Sequence, residues 1–180
     1  MSTIKDKKKI LSIFSLIGIF VAATCLPTSQ ATAEEKKYKI INYVSKVERL
    51  PVGDKEGHNL GFYERRGIVI YEDGEMAAFI GRGTFDLTNL GGTGEGYSLT
   101  TYKDGSTEWA KIRFTLVLPP GEKLLPFVEH KGEYIEGTGR FKGIKGSFTC
   151  KGPYITPFTP DKTKGDLCME CTETRTLPSR

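Results

Sequence analysis

Histidine is scarce in this sequence. There are two in 180 residues, His58 and His130, and neither stands in a His-Glu-x-x-His run, so the helical zinc-hydrolase pattern is absent. No Gly-x-Ser-x-Gly occurs, which removes the nucleophile elbow of the α/β hydrolases. Glycine is abundant, but not as a phosphate cradle. GTGRFKG (137–143) lacks the GxGxxG spacing, and GGTGEGYS (91–98) lacks the Lys-Ser/Thr that holds phosphate and magnesium. Sustained helical periodicity is missing; residues 121–130 leave room for a short turn of helix at most.

A cationic surplus is missing too, once the first 33 residues are set aside. Lys5, Lys7, Lys8 and Lys9 form a basic start, and residues 10–23 are an apolar run interrupted by Ser12, Ser15 and Gly18. Ala31-Thr32-Ala33 then supplies a small-x-small cleavage pattern. The run is short of the roughly 20 residues that a spanning helix prefers, so residues 1–33 read as a cleaved secretory signal with no integral membrane segment after it. A lipid anchor on Cys25 is the alternative, disfavoured by the size of Thr24 before it. Taking four Lys and one Asp from 26 basic and 22 acidic residues leaves 22 and 21, a net charge of +1 on residues 34–180. Nothing in that balance favours nucleic acid or an anionic membrane as partner. The expectation is one exported domain, periplasmic or secreted, long enough to bury its own core.

What is present is alternation and turns. Ile40, Asn42, Val44 and Lys46 share one face of a first strand, with Ile41, Tyr43 and Val47 on the other. Asp73-Gly74 and Asp104-Gly105, each between apolar runs, mark hairpins. Ala110, Ile112, Phe114, Leu116 and Leu118 alternate with Trp109, Lys111, Arg113, Thr115 and Val117, and Pro119-Pro120-Gly121 stops that strand. GGTGEG reads as another turn, and residues 167–177 as a last strand. Residues 152–165 hold three prolines and two glycines, too many for a central strand, and read as an arm that docks through Tyr154, Ile155 and Phe158. Strands every 8–12 residues indicate an all-β sandwich or barrel, and closure would remove exposed edges.

The stretch GTGRFKGIKGSFTCKG (137–152) reads as two short strands around a glycine-punctuated turn. GTGRFKGIKGSF resembles the late strand pair of the allene-oxide-cyclase-like and dirigent-like barrels, Gly-x-Gly-x-Phe-x-Gly-x-x-Gly, and GRGTFDLTNLGGTGEGYSLTTYKDGS is similar to the middle of such barrels. The resemblance spans roughly residues 68–151. It implies a closed antiparallel barrel of about eight strands, often a homo-oligomer, with a small apolar cavity. It carries no catalytic residue across and no cofactor.

Cys150, Cys168 and Cys171 remain after cleavage. Cys168-Met-Glu-Cys171 has C-x-x-C spacing, but position 172 is Thr, so haem attachment is excluded. Zinc held by the three thiols and His58 or His130, or a redox pair, competes with a disulfide from Cys150 to Cys168 or Cys171; the oxidising compartment favours the disulfide. Cys168 and Cys171 point to opposite faces of a strand, which argues against their own pairing. Arg82, Glu108, Trp109 and Arg113 are the ligand-binding candidates, provided the Trp109 face turns inward; otherwise they decorate an outer wall. The expected function is binding of an apolar or aromatic small molecule, without assumed catalysis. An isomerase or cyclase with Glu108 or Arg82 at the base of a cavity is the alternative, as is a filled barrel acting as an interaction protein.

Overall fold

Period-two burial runs through almost every strand of the computed structural model, which describes residues 33–89, 91–117, 125–156 and 164–178. The strands are β1 Glu34–Pro51, β2 Asn59–Tyr71, β3 Met76–Thr88, β4 Gly91–Tyr102, β5 Thr107–Val117, β6 Phe127–Gly137, β7 Lys145–Pro153 and β8 Lys164–Thr176. Each pairs antiparallel with the next, and β1 pairs with β8, closing an eight-stranded barrel with no free edge. The alternation indicated an all-β sandwich or barrel, and the closed barrel that the resemblance implied is the one found. The expected signal peptide lies outside the described residues except for Ala33, as does much of the expected arm.

The inward faces follow from sequence parity. Ile40, Asn42 and Val44 of β1 are buried, while Ile41 and Tyr43 face outward. A bulge between Val44 and Lys46 then shifts the register with β2, so Lys46 does not continue the inner face. Ala110, Ile112 and Leu116 turn inward on β5. At mid-height Ile40, Val69, Phe79, Ile112 and Phe148 fill the barrel, leaving an internal space of about 20 Å³, enough for about one water.

GGTGEG is not a turn. Gly91–Gly96 form the first half of β4. A Cβ on Gly94 would stand 2.3 Å from the Phe114 ring, so the glycine leaves the space that the ring occupies. Cross-strand packing therefore overrides the turn propensity of the glycine run.

The two ends of the barrel differ in their connections. At one, the turn end, β2–β3 and β4–β5 are joined by the tight Asp-Gly turns. There β6 passes to β7 through a 3₁₀ turn at Gly139–Phe141. Gly139 has φ +59°, and a Cβ on it would meet Ser106 Oγ at 2.3 Å, so glycine is required. The turn drops Phe141 and Ile144 into the barrel, each almost fully buried, as a plug. Arg140 covers it, 4.6 Å from the Tyr102 ring centroid and 4.7 Å from that of Phe141, with Glu75 and Asp104 as ionic partners. The opposite, loop end carries residues 52–58 and the connections into β6 and β8.

Cys150 and Cys171 face each other in register and form a disulfide, stapling β7 to β8. Closing a loop of sequence separation 21 constrains the unfolded chain by about 3 kcal/mol in the chain-entropy treatment. Cys168 is free on the other face of β8. The staple removes two of the thiols on which a zinc set depended.

Candidate functional site

Two polar clusters lie inside the barrel, one toward each end. At the turn end, Glu108 of β5 and Glu173 and Arg175 of β8 all point inward and are almost wholly buried. Arg175 Nη1 donates to Glu108 Oε1 at 2.9 Å, while its Nε lies 3.3 Å from Glu173 Oε1, too poorly aligned for a hydrogen bond. Tyr102 donates to Glu108 Oε2 at 2.7 Å and its hydroxyl meets that of Tyr71 at 2.6 Å; Tyr134 donates to Glu173. Two carboxylates thus share one guanidinium. Burial pushes the Glu108 carboxyl up to about 7, against the pull of Tyr102 and Arg175, and burial also raises Glu173. The same burial raises Tyr71, Tyr102 and Tyr134, so these phenols remain neutral donors.

The loop end is built from opposite charge. Arg65 of β2 is 7% exposed and forms no ion pair among the described residues. Its Nε donates to Asn42 Oδ1, Nη1 to the Tyr154 hydroxyl at 2.9 Å, and Nη2 to the Gly165 carbonyl at 3.1 Å. All three acceptors are neutral. Asn42 Nδ2, also buried, has no partner. Around them stand aromatic rings: Tyr63 and Phe114, half-buried and edge-to-face at 5.6 Å, then His130 5.8 Å from Phe114. Arg49 lies over Phe85 at 5.7 Å. Burial first, and Arg65 second, hold His130 down at about 3, so its ring is neutral. Burial raises the Tyr63 hydroxyl to about 12.

The four residues singled out from sequence do not converge. Glu108 is inside at the turn end. Trp109 and Arg113 alternate with it and face outward, Trp109 being 37% exposed. Arg82 is also outside, donating through Nε to Glu64 Oε2 at 2.7 Å, while Arg66 binds the other Glu64 oxygen. That clamp holds the Glu64 carboxyl down at about 2. Sequence reasoning missed Arg65, Glu173 and Arg175. The signal for the last two was available: Cys171, Glu173 and Arg175 share one parity on β8. His58, on the β1–β2 connection, is bracketed by Asp54 (Nδ1, 2.5 Å) and Asp86 (Nε2, 2.8 Å).

A concavity of about 1230 Å³ is lined by outward residues such as Phe62, Glu95, Arg113 and Lys131 together with Arg49 and the rings of Phe85, Phe114 and Phe148. Among the described residues no group of His, Cys, Asp or Glu is arranged to hold a metal ion, and no helix is long and apolar enough to cross a membrane.

No family model matches the sequence, and no curated protein matches it. Among solved structures, the chain is similar to the pterocarpan synthase dirigent protein GePTS1, with 16% identity, a TM-score of 0.45, and coverage of 83% of this chain and 89% of that one. It is also similar to the pterocarpan synthase dirigent protein PsPTS1, with 12% identity, a TM-score of 0.45, and coverage of 82% and 97%. The barrel itself is established by the strand pairing.

Proposed function

We propose that this protein is an exported barrel that binds a small aromatic or apolar molecule at its loop end, with no catalysis assumed. The observation that carries the reading is Arg65: a buried guanidinium without a counter-charge among the described residues, beside the half-buried rings of Tyr63 and Phe114. A buried charge without a counter-charge is costly unless something compensates it, and a bound ligand is one such compensation. The turn end offers no entrance, because Phe141 and Arg140 seal it, and the middle is filled. The disulfide fits the oxidising compartment to which residues 1–33 would direct the chain.

The test is a native mass spectrum of the protein purified from its own cell envelope. Extra mass that leaves on denaturation is the expected result. A bare mass, with no uptake from a mixed pool of phenols and lipids, would overturn the reading.

A second reading has its own observation. Ile41, Tyr43, Ile68, Met76 and Trp109 are large apolar side chains exposed on the outer wall of β1, β2, β3 and β5. A homo-oligomer or a protein partner would cover them. Sedimentation at micromolar concentration separates a lone protomer from an assembly.

A further inference from the structure

Resting on the binding reading above, we propose that Arg65 and Asn42 form a carboxylate site, so that the ligand of the loop end is a small aromatic monocarboxylate. The site is rich in donors and poor in charged acceptors. A guanidinium offers five N–H groups, and here three go to neutral oxygens of Asn42, Tyr154 and Gly165. Both N–H groups of Asn42 Nδ2 lack a partner although the residue is 2% exposed. Buried side-chain donors rarely stay unpaired.

A water could satisfy the amide but not the charge. Among the described residues the neighbours do not supply that charge either. His130 is neutral, Tyr63 and Tyr154 are phenols, and Arg49, toward the mouth, is a second cation. A carboxylate answers both deficits. Its two oxygens match the planar fork of Arg65 in place of the Tyr154 and Gly165 oxygens, and one can also accept from Asn42 Nδ2. The charge of one guanidinium calls for one negative charge, and the rings of Tyr63 and Phe114 suit an aromatic body.

Sodium benzoate, benzyl alcohol and sodium chloride serve as probes, read by thermal denaturation and by titration calorimetry of the mature chain at constant ionic strength. Benzoate should bind about tenfold or more tightly than benzyl alcohol, the difference a charge-assisted pair provides. Asn42→Asp places a carboxylate beside Arg65 in nearly the same volume. It should raise the melting temperature without ligand and abolish most of the benzoate response. Equal binding of benzyl alcohol, or a chloride effect matching that of benzoate, overturns the carboxylate site. So does a less stable Asn42→Asp protein. A neutral molecule in the native mass spectrum would also overturn it while leaving the barrel a binder; a bare mass with no response to any probe would remove both readings.

Discussion

The two ends of this barrel bury the same kinds of side chain in opposite proportion. At the turn end two carboxylates, Glu108 and Glu173, share Arg175, and a ring of tyrosines supplies the remaining hydrogen bonds. At the loop end Arg65 has hydrogen bonds but no carboxylate among the described residues. One cluster balances its charge by sharing a cation and holding on to a proton, although Arg175 Nε and Glu173 Oε1 form no hydrogen bond. The other is incomplete in charge and leaves Asn42 Nδ2 without a partner. The turn end is also the sealed one, closed by Phe141, Ile144 and Arg140, so its network works as a structural plug while the loop end is left to meet a ligand.

Removing the central cation of each cluster breaks the comparison most sharply. Arg175→Met strands two buried carboxylates, and losing one partner of a buried ion pair costs about 3–5 kcal/mol. Arg65→Met strands no opposite charge. It leaves the oxygens of Asn42, Tyr154 and Gly165 without their donor, a loss of about 1–3 kcal/mol. Urea denaturation of the two variants should therefore rank Arg175→Met as clearly the less stable. Equal losses would mean that Arg65 has a counter-charge of its own.

A pH series sharpens the same contrast with a smaller effect. Glu108 keeps its proton up to about 7 in the folded protein, against an ordinary value of 4.5. Between those values the folded state binds more protons than the unfolded one, so stability falls as pH rises from about 4.5 to 7. The full difference is at most about 3.5 kcal/mol, at roughly 1.4 kcal/mol per unit. Glu108→Gln should flatten this slope, whereas Arg65→Met should leave it in place. A slope that persists in Glu108→Gln would assign it to Glu173, which burial also raises.

How much of this was legible beforehand depends on the kind of residue. Apolar alternation on β5 and the Asp-Gly turns gave the strands and hairpins, because burial on one face and φ > 0 at a turn are local constraints. The glycines of β4 misled, because their reason lies across the sheet in the Phe114 ring. Cys150 could be expected to pair across strands with Cys171, or with Cys168, but only the register of β7 and β8 selects Cys171. Glu108 was picked out on the premise that the Trp109 face turns inward; it is the Ala110 face that does so, and Glu108 shares its parity. Its partner Arg175 is 67 residues away in sequence and becomes visible only when β8 closes the barrel. Arg65 shares its parity with Val69 and Tyr71, the same kind of signal that β8 carries, but in Glu64-Arg65-Arg66 charge alone does not say which residue turns inward.

The smallest effect belongs to His58, on the β1–β2 connection at the rim of the loop end. Its ring bridges Asp54 and Asp86 of β3, and hydrogen bonds to both carboxylates raise its pKa above the ordinary 6.5. A group whose folded pKa is raised adds stability that is complete below its unfolded value and is lost as pH rises through the folded one. Clasping of residues 52–58 onto β3 should therefore hold at acid pH and loosen in the range above 6.5. Global stability changes little, because Asp54 is exposed and the pair is screened. Amide hydrogen exchange in residues 52–58 is the sensitive probe: protection should fall with pH beyond the intrinsic rate increase, and His58→Gln should lose that additional pH dependence. This change runs in the same pH direction as the Glu108 slope but at the opposite end of the barrel. Exchange at Thr107–Glu108 that followed His58→Gln would show the two ends to be coupled, whereas independence would show that the filled middle keeps them apart.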